Sequence, residues 1–169
     1  MQIFKADPVT VVASDFSSEA VVASVTIPAA VVDRGRTFKI RLAGSILNDV
    51  ADGWQFFLRA GGLTGDIIVY SPQSVTVSQY DVLTGEAWVT ITTADTHIGK
   101  GTFLGITSNS EDSSTYANAT TYDGTTDTSF DLTAVCLYGG GSFLPAGDGT
   151  SQFGLIVFEV EALPTAGRA

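Results

Sequence analysis

The sequence predicts an all-β chain: a single-domain β-sandwich of jelly-roll type with about eight to ten short antiparallel strands, a barrel being the alternative. Three observations predict it. Apolar and polar residues alternate with a period of two along most of the chain, turn residues recur at short intervals, and no segment carries a helical stripe of ten or more residues.

Residues 1–19 read as an N-terminal arm or edge strand, with a strand-like run at 9–13. Ser and Glu between 15 and 23 offer caps for a short helical turn, but the valines that follow favour strand. The sandwich domain is expected over 20–169. Val21, Ala23, Val25 and Ile27 alternate with Val22, Ser24 and Thr26; Phe38, Ile40 and Leu42 alternate with Thr37, Lys39 and Arg41. Trp54, Phe56 and Leu58 follow the same rule, which places Trp54 in the core. Further strands are expected at 66–70, 74–78, 86–93, 101–107, 129–138 and 152–163, rich in Val, Ile, Thr, Phe and Tyr. Asp52-Gly53, Gly61-Gly62, Thr64-Gly65, Thr84-Gly85, the glycines at 139–141 and Asp148-Gly149 supply the turns. Residues 108–128 contain no Val, Ile, Leu, Phe or Met, so they read as an exposed polar loop, with Tyr116 and Tyr122 as contact candidates.

Composition narrows the function. The 169 residues hold 18 acids against 8 Lys and Arg, a formal charge of −10, which opposes general nucleic-acid binding. Cys136 has no possible disulfide partner in the chain and lies in an apolar run, so it reads as a small buried hydrophobe. The N-terminus shows no signal-peptide pattern and no window reaches the length of a membrane span, so a soluble protein with no membrane partner is expected. A catalytic triad would need His97, the sole histidine, which follows a turn-like stretch and reads as a surface loop residue. One His and one Cys disfavour zinc, while Asp123–Asp127 and Asp148-Gly149-Thr150 read as turns before they read as calcium loops. Asn118-Ala119-Thr120 matches a glycosylation sequon. No catalytic residues, metal or cofactor are therefore expected; paired carboxylates for glycoside hydrolysis form the weakest alternative.

Charge is uneven along the chain. Residues 101–169 hold eight acids and one base, whereas Arg34, Arg36, Lys39 and Arg41 cluster early. Lys39 and Arg41 share a strand face, so a basic stripe on an acidic body is expected, with a solvated strand face as the plainer reading.

The stretch from Ala23-Ser24-Val25-Thr26-Ile27-Pro28-Ala29-Ala30 through Gly35-Arg36-Thr37-Phe38-Lys39-Ile40-Arg41-Leu42-Ala43-Gly44 resembles a pattern in small structural proteins of tailed bacteriophages. The segment 86–91 around Trp88 and the closing pair 128–135 and 153–161 are similar to the same family, with Ala30 where Asn is usual and an added polar segment at 108–128. The resemblance implies a non-enzymatic jelly-roll module on the exterior of a virion, assembled in the host cytoplasm. It implies a head decoration (cement) or head-fibre protein, commonly a homotrimer, that stabilises the capsid by bridging capsomers of the major capsid protein. Arg34, Arg36, Lys39 and Arg41, or the arm 1–19, are then the candidates for contact with an acidic shell. The alternative is a glycan- or receptor-binding module of a fibre or tail, with Tyr116 and Tyr122 on the contact loop.

Overall fold

The computed structural model describes residues 1–12, 18–32, 35–47, 52–71, 80–93, 96–104, 109–117, 125–138 and 151–164. Eleven strands and no α-helix occur among these residues: β1 (Gln2–Lys5), β2 (Val9–Val12), β3 (Ala20–Ile27), β4 (Thr37–Leu47), β5 (Asp52–Ala60), β6 (Asp66–Tyr70), β7 (Tyr80–Thr93), β8 (Thr96–Leu104), β9 (Asn109–Ala117), β10 (Thr128–Tyr138) and β11 (Gln152–Ala162). They form two antiparallel sheets that pack as an all-β sandwich. The larger runs β1-β11-β4-β7-β8-β9, with β2 also on β11; the smaller runs β3-β10-β5-β6. β1 pairs with residues 159–162 of β11 and β2 with residues 152–155, so the two short segments share one edge of it while β4 takes the other.

Period-two alternation builds the core. On β4, Phe38, Ile40, Leu42, Gly44 and Ile46 are buried while Lys39 and Arg41 point away from the second sheet. Phe130 on β10 meets Phe38 with ring centroids 5.3 Å apart, and Phe56 on β5 meets Phe153 on β11 at 4.6 Å. Trp54 lies beneath this cluster, fully buried as its phase predicts. On β3 a shift of register opposite Leu132 and Thr133 breaks the alternation, so Val22 and Ala23 are both buried and Val21 is exposed.

One stretch departs from expectation. Residues 108–128 read as a loop, yet 109–117 form β9, paired to β8 from Thr96↔Ala117 to Leu104↔Asn109. Main-chain hydrogen bonds need no apolar side chains, and a polar outermost strand is how sheets blunt an edge. Residues 1–19 include two strands docked on β11. The expected strand at 74–78 lies outside the described residues.

Gly35 has φ +79, a conformation open chiefly to glycine. Its N–H donates to the carbonyl of Ile91 at 2.8 Å, and Ile91 N–H donates to the carbonyl of Arg36 at 2.9 Å. This turn delivers the chain into β4 beside β7 and fixes which side chains of β4 face outward.

Candidate interaction surface

The outer face of the larger sheet carries Lys39 and Arg41, two of the four residues of the expected basic stripe. Lys39 stands opposite Glu161 on β11 and Trp88 on β7; Arg41 stands opposite Glu159 and Glu86. Lys39 Nζ lies 2.7 Å from Glu86 Oε1, and one Arg41 Nη lies 2.6 Å from Glu159 Oε1 and 3.8 Å from Glu161 Oε2. Lys5 Nζ approaches Glu159 Oε2 at 3.3 Å. The polarity visible along the sequence is thus mixed on this face, because register sets acids of the late half against bases of the early half. Lys39 and Arg41 form a charge ladder in place of an electropositive stripe. Such exposed pairs are worth about 0–1 kcal/mol each, so they set register and surface polarity more than stability.

Trp88 projects from the same face and is 41% exposed, its ring 5.2 Å from the Lys39 ammonium. Directly across on β8 stands Lys100, also exposed. Thr84, Gly85, Glu86, Trp88 and Thr102 line a shallow depression of about 210 Å³. Val82 and Ile98 are exposed on this face too, but opposite Ser45 and Thr90, apart from each other.

Arg36 lies elsewhere, at one end of the sandwich. It lines an open cleft of about 520 Å³ with Met1, Gln2, Ala30, Val31 and Pro164, and it donates from Nη1 to the carbonyl of Leu163 at 3.1 Å. The cleft joins the chain start, the turn after Pro28 and the end of β11, three segments distant in sequence.

The remaining candidates scatter. Tyr116 sits on β9 in register with His97. Arg34, Tyr122, Asp123, Asp148, the sequon at 118–120 and the glycines at 139–141 lie outside the described residues. His97, read as a surface loop residue, is fully buried on β8. The strand begins at Thr96, and stepping back in twos from Phe103 through Gly101 and Gly99 puts His97 on the inward face. Burial lowers its pKa, with the Asp66 charge opposing. Cys136 is fully buried on β10. Asp127 accepts a hydrogen bond from Ala29 N–H at 2.9 Å, a structural tie between the turn after β3 and the start of β10. Among the described residues no cluster of three or more His, Cys, Asp or Glu could hold a metal ion, and no helix is long and apolar enough to cross a membrane.

Sequence reading missed one network on the smaller sheet. Arg59 donates from Nε to Glu19 Oε1 at 2.6 Å, from Nη2 to Glu19 Oε2 at 2.8 Å and from Nη1 to the carbonyl of Gly65 at 2.8 Å. Thr133 donates to the same carboxylate. Nothing in the sequence Ser17-Ser18-Glu19 signals a partner forty residues on.

No protein-family model matches the chain, and a search of curated proteins finds no match. Among solved structures, a chain from infectious bursal disease virus, Gx strain, is similar at 12% identity with TM-score 0.41, over 97% of this chain and 33% of that one. The chain therefore spans about a third of the length of that viral chain. A double mutant of the alginate lyase Aly36B bound to an alginate trisaccharide is similar at 10% identity with TM-score 0.42, over 94% of this chain and 82% of that one.

Proposed function

We propose that the protein is a non-enzymatic structural subunit of a tailed-phage virion, a jelly-roll module that decorates the capsid exterior and bridges capsomers as a homotrimer. The observation that carries this reading is spatial. The segments resembling phage structural proteins are spread from residue 23 to 161, yet they fall on strands that lie side by side: β11-β4-β7 in one sheet and β3-β10 in the other. The strand order supports the jelly-roll subtype, since β2-β11-β4-β7 faces β3-β10-β5-β6 and the chain passes repeatedly between the two sheets. With Lys39 and Arg41 held in ion pairs, the shell contact is better served by the end cleft. There Arg36 and the chain start, two separate candidates from the sequence, come together.

Shells of the phage assembled without this chain, then mixed with it, test the reading. Wild-type protein is expected to saturate them, and Arg36→Glu to lower occupancy at least tenfold while keeping its far-UV spectrum. Arg41→Gln, which opens the ladder without adding a charge, is expected to bind nearly as wild type. Shells that take up no protein, or that bind Arg36→Glu unchanged, would refute the assignment.

A further inference from the structure

The outer face of the larger sheet holds an arrangement that shell attachment does not use. Trp88 is exposed at 41% in a β-sheet position where its neighbours on both adjacent strands are lysines, Lys39 on β4 and Lys100 on β8. Beside it lies the 210 Å³ depression edged by the hydroxyl-bearing Thr84 and Thr102 and the Glu86 carboxylate. That volume holds roughly seven waters at liquid density, room for one small ring.

The chemistry selects the occupant. An indole face is apolar and flat, and it matches the C–H face of a pyranose ring, whose rim of hydroxyls needs donors and acceptors close by. Thr84, Thr102 and Glu86 provide them within one depression. The exposed Lys100 ammonium, across from Trp88, complements a carboxylate on the sugar. Lys39, held by Glu86 at 2.7 Å, neutralises the Glu86 carboxylate at the rim of the depression. A second protein copy is a poorer match. Ile98 lies diagonal to Trp88, but Thr84 and Glu86 separate Trp88 from Val82 along β7 and Lys100 and Thr102 flank it on β8, so the exposed apolar area around Trp88 is small for the centre of a protein interface.

We propose that Trp88 and Lys100, with the depression beside them, form a subsite for a carboxylate-bearing pyranose of an acidic saccharide. The site lies away from the Arg36 cleft, so it stands or falls independently of shell binding. A trimer would present three copies and multiply a weak single-site affinity.

Tryptophan fluorescence reads this site directly, because Trp54 is buried and Trp88 carries the fraction accessible to acrylamide. Galacturonic-acid oligomers and sialyllactose are the acidic probes, with maltohexaose and lactose as neutral counterparts. An acidic probe is expected to protect the accessible fraction saturably, at least tenfold more tightly than its neutral counterpart, and less tightly as salt is raised. Whichever acidic probe binds identifies the sugar class. Trp88→Ala should lose at least tenfold in affinity by calorimetry and Lys100→Glu at least threefold, both at exposed positions and both checked for fold by far-UV spectra. Three results overturn the proposal: no saturable protection by either acidic probe, equal binding of neutral and acidic sugars, or Trp88→Ala binding as wild type.

Discussion

Burial of the His97 imidazole favours its neutral form, so its pKa in the folded chain lies below the ordinary value, the Asp66 charge offsetting only part of the effect. The unfolded chain takes up a proton as pH falls through about 6.5 and the folded chain does not. The stability contribution is therefore whole above that pH and is lost as pH falls toward the folded value. The urea midpoint of the wild type is expected to decline between about pH 7.5 and 5.5, and that of His97→Met to stay flatter. Parallel curves for the two proteins would place the proton uptake elsewhere. Glu19 follows the same sign by a different cause. Burial would raise its pKa, but hydrogen bonds from Arg59 and Thr133 and the Arg59 charge outweigh that and lower it. Its contribution is present at neutral pH and lost as pH falls below the usual carboxylate range. Arg59→Met removes three donated hydrogen bonds and leaves a half-buried carboxylate short of partners, an expected loss of about 2–3 kcal/mol at pH 7 by chemical denaturation. That loss should shrink once Glu19 is protonated in both proteins.

At the scale of strands, β4 and β11 meet too closely at one point for any side chain but hydrogen. A Cβ on Gly44 would come within 2.5 Å of Phe153 Cε2 and 2.8 Å of the Gly154 carbonyl oxygen. Gly44→Ala is expected to cost about 1–3 kcal/mol through overpacking. In a Phe153→Leu background, where the nearest ring atoms are gone, the same change should cost measurably less. Equal costs would put the strain on the Gly154 backbone alone. Ala43 and Gly44, which close the alternating run of the sequence pattern and lie inside β4, thus have a packing reason at Gly44. The periods of β4, β5 and β11 were legible because each strand has one face in the core and one in water. β9 was not, since both its composition and its edge position leave no apolar signature, and pairing with β8 is carried by the main chain. His97 was misplaced for a related reason: the turn residues before it masked a strand whose inward phase is marked mainly by small residues, Gly99 and Gly101. Edge position and few apolar residues predict that β9 amides exchange with solvent at least tenfold faster than those of β4 and β11. Mass-spectrometric hydrogen exchange would test this, and equal protection would mean that something else covers the edge.

For the whole molecule, the question is where a net charge of −10 acts when four of the eight bases are held in ion pairs within the chain. Arg41, Lys5 and Lys39 are engaged by Glu159, Glu161 and Glu86, and Arg59 by Glu19. Half of the eight bases are thus balanced within the chain, and the excess acids set the long-range field of each copy. Copies that gather into the proposed trimer bring like-charged bodies together. At 20 mM salt the Debye length is about 20 Å, comparable with the thickness of a sandwich, and at 0.3 M it is about 6 Å. Screening should therefore favour association: sedimentation is expected to show more of the species of three times 17.6 kDa as salt rises over this range. The proposed Arg36 contact with an acidic shell should respond oppositely, since salt would screen an attraction there. Dissociation of the trimer by salt would instead mean that ion pairs span its interface, and Lys5, Lys39 and Arg41 would be the first residues to reverse in sign.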